Sequence, residues 1–388
     1  MRRTVLYLVS TLARCGPINV LREIVRHLDP ERYRAVIATL SPEKKDSCIG
    51  EIQGAGVLLR QLHFPSYGVV VGKSKDVGQL IQEVDASIIH SHGIRADILL
   101  ARSNPQCATV STLHCDLVRD YQLAYGFVMG RLMAATEYAA LRGFNSVAAV
   151  SESVASAALR ASVISDVIPN GIDVTTCRPP TSICEKNQIR QRYAWPESAT
   201  VVLHTGALIE RKNPIDIIRA FRRSRLSEYA LLVFAGDGPL RPKCEQAAEG
   251  SPNVVFMGPR GDIPELLMAA DVLVSNSRAE GLPMALLEGC AAGITILATD
   301  IPPHQDIQRL FSAQVTLLPK DDIRSFANAL DQLALPREKL CFTPGPAALD
   351  SISSRAMSTS YQRLYDRLIS AHPPESSRQR QLRSRTTS

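Results

Sequence analysis

The chain has 388 residues, more than one ordinary core supports, so we expect two domains. A hydrophobic content of 45% with 21% charged residues is typical of a folded protein and excludes a globally disordered chain. The net charge of +6 is modest, the last eleven residues hold four arginines, and aromatic residues make up only 5%. We therefore expect no nucleic acid as a partner.

Nine cysteines without a Cys-x-x-Cys pair indicate free thiols in a reducing compartment rather than a disulfide framework. The apolar run Val5–Val9 follows two arginines, and we interpret it as a buried strand because it is too short for the apolar core of a signal peptide. No run of about twenty apolar residues occurs, so we expect no transmembrane helix. The expected location is cytoplasmic, with peripheral attachment to the inner membrane face as an open alternative.

Short apolar runs alternate with helical patterns along the first half of the chain. Apolar residues recur at helical spacing from Ile18 to Leu28. The predicted strands are Val5–Val9, Ala35–Leu40, Ser87–His90, Ala108–Leu113 and Ser146–Val150. Strands that alternate with helices in this way predict a parallel sheet.

A strong turn signal, Ile168-Pro169-Asn170-Gly171, ends this pattern, which then restarts. The second set of predicted strands is Val201–His204, Leu231–Ala235, Val254–Met257, Val272–Ser275 and Thr295–Ala298. We therefore predict an α/β protein with two doubly wound domains, residues 1–170 and 171–349. Residues 350–370 have the pattern of one amphipathic helix, and residues 371–388 that of a disordered basic tail.

The segment Tyr121–Arg142 is apolar, with glycines at positions 126 and 130. Two interpretations are open: a helix packed into the core, or a surface that docks on a membrane or covers a lipid-linked acceptor. We favour the packed helix, because Arg131, Glu137 and Arg142 fit on one polar face.

Two carboxylates, Glu280 and Glu288, flank a predicted turn between a strand and a helix. A carboxylate accepts paired hydrogen bonds from vicinal hydroxyls, so the pair suits sugar recognition. Two solvated glutamates beside an ordinary helix start fit the spacing equally well.

The turn between these carboxylates predicts an anion site. Gly281 permits a tight turn, and Pro283 suits the first turn of a helix. The N–H groups of Leu282, Met284 and Ala285 would then point outward at the helix N-terminus, where phosphate or sugar hydroxyls bind.

Glu280 and Glu288 form a Glu-x7-Glu motif, and the surrounding Glu-Gly-Leu-Pro…Leu-Glu-Gly resembles the signature of family 4 retaining glycosyltransferases. Further family-like pieces follow in the expected order between about residue 1 and residue 370. They are Val150-Ser151-Glu152, Ile168-Pro169-Asn170-Gly171-Ile172-Asp173, Thr205-Gly206…Arg211-Lys212-Asn213-Pro214, Ala235-Gly236-Asp237-Gly238-Pro239, Val255-Phe256-Met257-Gly258 and Gly293-Ile294-Thr295-Ile296.

This resemblance implies a GT-B fold, in which two Rossmann-like domains face a cleft and the helix of residues 350–370 crosses back to the first domain. It also implies a retaining enzyme of the hexosyltransferase class. Such an enzyme moves a sugar from a nucleotide-diphosphate sugar to a glycan or lipid-linked acceptor, here in cell-surface polysaccharide biosynthesis.

Carried over by position, the resemblance implies roles on the donor side. Glu288 would grip the ribose hydroxyls, and Glu280 with the amides after Gly281 would contact the transferred sugar and its phosphate. Lys212 would stabilise the charge that grows on the leaving pyrophosphate. The base pocket would be lined by Gly258, Arg260, Asp262 and Ile263.

The sequence departs from the family pattern at two glycine turns. Gly16 is followed by Pro17 where the family shows a second glycine, so one amide donor is missing. Gly206 is followed by Ala207 where the family places an arginine, so either Arg211 supplies the missing charge, which is our hypothesis, or donor binding is weak.

Histidines end two of the predicted strands. The piece Leu113-His114-Cys115-Asp116 follows a strand, and His114 resembles the family histidine that touches the donor sugar near the reaction centre. His90 and His92 end another strand and are weaker candidates.

No Asp-x-Asp pair and no cluster with metal-ligand spacing occurs in the sequence, so we expect neither a metal nor a cofactor. The sequence argues against a dehydrogenase, because Arg241 stands where a dinucleotide fingerprint needs its third glycine. Two alternatives stay open. A GT-B sugar-nucleotide epimerase is one, although the carboxylate pair speaks against it, and a catalytically silent GT-B subunit, which Pro17 and Ala207 would suit, is the other.

Overall fold

Two parallel β-sheets flanked by helices build the chain, as seen in a computed structural model. The structure describes residues 2–43, 47–54, 56–64, 73–333 and 341–371. The predicted basic tail therefore lies outside the described residues, except for Ala371, which ends the last helix.

The first sheet has seven parallel strands in the order β3-β2-β1-β4-β5-β6-β7. Its strands are β1 (Arg3–Val9), β2 (Tyr33–Thr39), β3 (Leu58–Gln61), β4 (Ala86–His92), β5 (Ala108–Leu113), β6 (Ser146–Ala149) and β7 (Asp166–Val167). Its helices are α1 (Gly16–Arg26), α2 (Ile49–Gly54), α3 (Lys73–Glu83), α4 (Ile94–Ser103), α5 (Leu117–Tyr125), α6 (Phe127–Leu141) and α7 (Glu152–Arg160).

The second sheet has six parallel strands in the order β10-β9-β8-β11-β12-β13. Its strands are β8 (Thr200–Thr205), β9 (Ala230–Ala235), β10 (Val254–Gly258), β11 (Val272–Ser275), β12 (Thr295–Thr299) and β13 (Val315–Leu318). The remaining helices are α8 (Ile183–Arg192), α9 (Pro214–Arg223), α10 (Arg241–Ala247), α11 (Ile263–Ala269), α12 (Met284–Ala291), α13 (Pro302–Leu310), α14 (Ile323–Gln332), α15 (Pro346–Ser351) and α16 (Ser354–Ala371).

The architecture confirms the prediction of two doubly wound domains. All ten predicted strands are present, whereas the sequence analysis missed β3, β7 and β13. These three lie at the outer ends of the sheets and are only partly buried, so they lack the continuous apolar run of a central strand. The domain boundary at residue 170 stays a prediction.

Each sheet has a point where its strand order reverses, and ligands of such folds bind at the carboxyl ends of the strands there. In the first sheet β1 lies between β2 and β4, and Val5 of β1 pairs with Ala35 and with Ile88. In the second sheet β8 lies between β9 and β11, and Val202 pairs with Val272. The loops after β8 and β11 therefore meet at one edge of the second sheet.

The last helix crosses back to the first domain, which confirms that part of the predicted fold. The Ser358 hydroxyl donates to the Ile24 carbonyl of α1 at 2.9 Å, and Tyr361 and Tyr365 are buried beneath the first sheet. The helix predicted for residues 350–370 is present as α16 but begins later than predicted, because the chain is helical over α15 and again over α16. It breaks between them where Ile172 donates its N–H to the Ile352 carbonyl and accepts from the Ser354 N–H.

The segment Tyr121–Arg142 contradicts the prediction of a packed helix with Glu137 on its polar face. It forms most of a helical hairpin, α5 and α6, joined at Gly126. Glu137 is only 1% exposed, whereas Phe127 and Val128 are 69% and 79% exposed. Nonetheless, none of the described helices combines the length and the apolar character needed to span a bilayer.

One apolar cluster runs across the boundary between the two domains. Leu113 and Leu117 of the first domain belong to the same buried cluster as Leu282 and Leu286 of the second. The cleft between the sheets thus has a packed floor, which fixes the loops that border it.

Candidate active site

Glu280 lies at the centre of a cluster of charged side chains in the loops after β8 and β11. Its carboxylate is 2.6 Å from Lys212 Nζ, accepts from Arg211 Nη1 at 2.7 Å and accepts from the Ser277 hydroxyl at 2.8 Å. Burial alone would raise the pKa of Glu280, but the two cations outweigh it and hold this pKa well below the ordinary value. Glu280 is therefore ionised at neutral pH.

Lys212 reaches Glu280 because the loop after β8 ends in a short helical turn, Glu210–Lys212. Gly206 follows β8 with a φ of +128°, and a Cβ on it would stand 3.7 Å from Lys212 Cε. The lysine thus lies along the glycine turn, beside Ala207, where the family pattern has an arginine.

Arg211 joins the two domains. Besides Glu280 it donates to the Ala279 carbonyl at 2.8 Å, and its Nε lies 3.3 Å from Asp120 Oδ1 in α5 of the first domain. Burial raises the pKa of Asp120, while Arg211 acts against this shift. The structure therefore places Arg211 in the predicted cluster, but with its guanidinium already held by two carboxylates.

The loop that carries Glu280 rests on the first domain at Gly281. A Cβ there would stand 1.8 Å from the His114 carbonyl oxygen, so only glycine fits. The Ser151 hydroxyl donates to the Gly281 carbonyl at 2.9 Å, and Asn170 Nδ2 donates to the Leu282 carbonyl at 2.9 Å. Sequence reasoning gave Ser151 and Asn170 no role, although both stand in family-like pieces, and that was the signal available.

The amides at the start of α12 face the same region. The helix begins at Met284, so Pro283 is its N-cap rather than its first residue. No backbone hydrogen bond in the described part of the chain engages the Met284 or Ala285 amide. With the positive end of the helix dipole, these amides offer a site for an anion.

Glu288 lies one turn further along α12, on the same face as Met284. Burial raises the pKa of Glu288 to about 7, while Arg22 of α1 and Lys212 act to lower it. No hydrogen bond to its side chain occurs within the described ranges. The carboxylate is thus left available to a ligand between α1 and α12.

Three histidines form a stack beneath the cleft. The His90 and His92 ring centroids lie 4.4 Å apart, those of His92 and His114 lie 5.2 Å apart, and His92 Nδ1 is 2.9 Å from His114 Nε2. Burial lowers the pKa of His90 to about 3 and that of His114 to about 4, so these rings are neutral at pH 7.

The contacts of these rings separate their roles. His90 has partners on both nitrogens, Tyr365 Oη and Thr112 Oγ1, each at 2.7 Å, which indicates a structural role. His114 is the member whose backbone supports Gly281, at the edge of the cleft.

The remaining predicted donor residues lie at other strand ends, and no described contact joins them to Glu280. Gly16 is the first residue of α1, with open space at its Cβ position. Gly258 ends β10 with a φ of +69°, and Ile263 begins α11. Arg260 is engaged, because its Nε donates to Asp262 at 2.8 Å and it lies over the Tyr193 ring. The roles of these residues stay predictions.

Two family models match the chain in tandem. Residues 16–176 match Glycosyltransferase Family 4, and residues 185–340 match Glycosyl transferases group 1. Together they cover the second sheet, the first sheet except β1, and the loops that carry Glu280, Arg211 and His114.

Relatives and solved structures agree with these matches. The chain is 29% identical over 173 residues to an Escherichia coli UDP-Gal:alpha-D-GlcNAc-diphosphoundecaprenol alpha-1,3-galactosyltransferase, covering 42% of this chain and 43% of the relative. It is 23% identical to the Escherichia coli O-antigen biosynthesis glycosyltransferase WclY over 94% of this chain and 98% of that one. Anabaena HepE, solved with UDP and glucose, superposes with a TM-score of 0.80 at 18% identity, covering 95% of this chain and 100% of HepE. The matches at 29% and 34% identity span less than half of the curated relatives' own length.

Proposed function

The chain belongs to the family 4, group 1 glycosyltransferases of the GT-B fold, and from this premise we propose that it is a retaining hexosyltransferase using a nucleotide-diphosphate sugar. The observation that carries the proposal is the joint contact of Lys212 and Arg211 with Glu280, next to the α12 amides that no described backbone group engages. Two cations and a helix N-terminus suit a pyrophosphate, and a carboxylate suits sugar hydroxyls.

The proposed mechanism starts from an exchange of partners. Without substrate, Glu280 neutralises Lys212; with donor bound, the pyrophosphate takes over Lys212, and Glu280 accepts hydrogen bonds from the sugar. The bond between the anomeric carbon and the phosphate oxygen then breaks, and a bond to the acceptor hydroxyl forms. Lys212 stabilises the charge that develops on the leaving phosphate.

The proton of the acceptor hydroxyl needs a base in this scheme. Glu280 is a weak base because its pKa is depressed, and His114 is a weak base because burial lowers its pKa to about 4. We therefore assign the proton to the leaving phosphate oxygen, on the same face of the sugar as the attack.

We propose a lipid-linked or glycan acceptor in polysaccharide biosynthesis, and a place on the inner face of the membrane. The support is the named activity of the relatives, one of which acts on a diphosphoundecaprenol-linked sugar and another in O-antigen biosynthesis. Uridine diphosphate is the first nucleotide to test, because the solved neighbour binds UDP and one relative uses UDP-Gal.

The test is release of nucleoside diphosphate from UDP-, GDP- and ADP-sugars, with and without acceptor, next to thermal shifts with the free diphosphates. We expect one diphosphate to raise the melting temperature and the matching donor to turn over. Lys212→Ala should lose turnover while staying folded. If no donor in the panel is turned over, the proposed activity fails.

A catalytically silent subunit is the second candidate, favoured by Ala207 and by the guanidinium of Arg211 already being paired with Asp120 and Glu280. It predicts binding of a nucleoside diphosphate without turnover of any donor. A sugar-nucleotide epimerase would instead convert the donor sugar without an acceptor, which product analysis would show.

A further inference from the structure

The α5–α6 hairpin ends in a cluster of exposed apolar side chains, which we call the apolar tip. Its members are Leu123 (40% exposed), Tyr125 (57%), Phe127 (69%), Val128 (79%), Met129 (53%) and Leu132 (61%). Single exposed apolar residues are ordinary, but six large ones within ten positions around one turn mark a site of interaction.

The hairpin is a rigid support for this tip. Gly126, at a φ of +82°, ends α5 and begins α6. A Cβ on Gly130 would stand 2.5 Å from the Gln122 N atom, so the glycine lets the two helices touch along their backbones. The Tyr121 hydroxyl, from α5, donates to the buried Glu137 of α6. The apolar side chains are therefore exposed because of a packed conformation and not because of a loose end.

The acidic and basic side chains of the hairpin lie on different sides of it. The two carboxylates between residues 117 and 142, Asp120 and Glu137, both face inward, toward Arg211 and Tyr121 respectively. Arg131 and Arg142 are exposed, and Arg119 is half-buried. Arg131 lies one turn from Phe127 with its guanidinium over the Phe127 ring, whereas Arg142 is at the opposite end of α6. The outer surface is thus apolar at the tip with a positive charge beside it.

We propose that the apolar tip inserts into a lipid bilayer with anionic headgroups and holds the cleft at the membrane surface. The apolar side chains would enter the acyl boundary while Arg131 meets a phosphate of the headgroups. A second copy of this chain fits the surface less well, because a two-fold contact through the tip would bring Arg131 close to its own copy.

Insertion of the tip would place the cleft next to the bilayer, and the functional consequence drawn from this rests on the proposed function. Asp120, which contacts Arg211, lies five residues before Tyr125 on α5, or about 8 Å along the helix axis. A bilayer at the tip would therefore lie beside the cluster around Glu280. An acceptor anchored in that bilayer would present its sugar to the cleft without leaving the membrane.

The experiment is cosedimentation of the full chain with vesicles of phosphatidylcholine and phosphatidylglycerol at 7:3, and with vesicles of phosphatidylcholine alone. The triple variant Phe127→Ser/Val128→Ser/Met129→Ser removes the most exposed side chains of the tip. The matched control is Ile183→Ser/Leu310→Ser, which removes apolar side chains that are 65% and 54% exposed in the second domain. Melting temperatures check that both variants fold.

We expect the triple variant to bind the anionic vesicles at least about a hundredfold more weakly, since each fully buried large apolar side chain contributes about tenfold. The control should bind like the parent. Arg131→Gln should lose about fivefold on anionic vesicles only, whereas Arg142→Gln, at the opposite end of α6, should bind like the parent. Equal binding by the triple variant and the parent would overturn the proposal, and so would a parent dimer that the triple variant dissociates while neither binds vesicles.

Thermal shift with UDP, GDP and ADP separates this proposal from the proposed function. If the parent binds a nucleotide but no vesicles, membrane insertion of the apolar tip is rejected and the proposed enzyme activity is not. A parent that binds vesicles through the tip but turns over no donor supports the surface and rejects the enzyme.

Discussion

Gly281 lies so close to His114 that a Cβ on the glycine would stand 1.8 Å from the histidine carbonyl oxygen. Through this contact the loop that carries Glu280 in the second domain is set against the end of β5 in the first. The position of the carboxylate therefore depends on the packing between the two domains as well as on its own loop.

Gly281→Ala should lower turnover by about a hundredfold, because the new methyl group pushes apart two backbones that fix the site, and small displacements of reacting groups cost about that much. The strain should also lower the free energy of unfolding by about 1–3 kcal/mol. Diphosphate release and thermal melting measure both effects. Gly345→Ala is the control, because nothing lies within 4 Å of its Cβ position; similar losses in the two variants would mean that the His114 contact is unimportant.

Glu288 should make stability depend on pH. Its folded pKa of about 7 exceeds the ordinary 4.5, so between these values the unfolded chain releases a proton that the folded protein keeps. Its contribution to stability is thus complete below about pH 4.5 and is lost as the pH rises to 7. The free energy of unfolding of Glu288→Gln should rise by about 1–3 kcal/mol relative to that of the parent between pH 5 and pH 8. Denaturant unfolding measures this difference.

The same carboxylate should make nucleotide binding depend on pH if it accepts hydrogen bonds from ribose. Affinity for the nucleoside diphosphate should rise about tenfold from pH 6 to pH 8 as Glu288 ionises. Calorimetry at several pH values should show this rise in the parent and a flat profile in Glu288→Gln. A rise of the same size in both proteins would assign the effect to another group.

The sequence was sufficient to predict the two sheets, because buried parallel strands appear as apolar runs of four or more residues. It also pointed to Glu280, Arg211 and Lys212, and the structure brings both cations within hydrogen-bond distance of the Glu280 carboxylate. It could not reveal Asp120, since that contact joins positions ninety-one apart on different domains and leaves no local pattern.

Two misinterpretations have a common cause. Glu137 looks like a surface charge and the apolar segment around it like a helix packed into the core, yet Glu137 is buried and Phe127 is exposed. The reversal follows from the packing of α5 against α6, where Tyr121 provides a partner for the buried carboxylate. The break between α15 and α16 was likewise invisible, because it depends on backbone hydrogen bonds to Ile172.

Removal of α16 should abolish folding, because it uncovers the side of the first domain that Tyr361, Tyr365 and Leu368 bury. A chain ending at residue 371 should keep the parent's melting temperature and activity, whereas one ending at residue 350 should be insoluble or inactive. A folded and active short chain would show that the crossing helix is dispensable.

A milder change tests the same contact in the folded chain. Tyr365→Phe removes the hydroxyl that His90 contacts. It should lower the free energy of unfolding by about 1–3 kcal/mol, as measured by denaturant unfolding. The control is Tyr229→Phe, at an exposed position, which should leave stability unchanged.

Turnover should not depend on a divalent metal. Lys212, Arg211 and the amides of α12 supply the positive charge that a metal ion would otherwise bring to a pyrophosphate. Diphosphate release after dialysis against excess chelator should match that of the untreated protein. Loss of activity that magnesium or manganese restores would contradict this expectation.

Lys212 and Arg211, the two cations at Glu280, should both be needed for turnover, although only Arg211 also contacts Asp120. Lys212→Ala removes a preorganised charge from the leaving group and should cost about a hundred- to a thousandfold in turnover. Arg211→Ala should cost a similar factor if Arg211 replaces the arginine that Ala207 lacks, and Ala207→Arg should then restore part of the loss. Asp120→Asn should cost less than about tenfold, because it only loosens one side of Arg211.

The measurement is the initial rate of diphosphate release at saturating donor, with Arg278→Ala as the control. Arg278 belongs to the loop of Glu280, but its side chain pairs with Asp321 at 3.0 Å and with Glu210 at 4.0 Å, not with Glu280, so this variant should turn over like the parent. If Arg211→Ala turns over like the parent while Lys212→Ala is impaired, Lys212 alone stabilises the leaving group. Arg211 would then serve only as a bridge between the domains. Rescue by Ala207→Arg would instead show that an arginine is needed at the pyrophosphate. In this chain the arginine would then come from position 211 rather than position 207 of the loop.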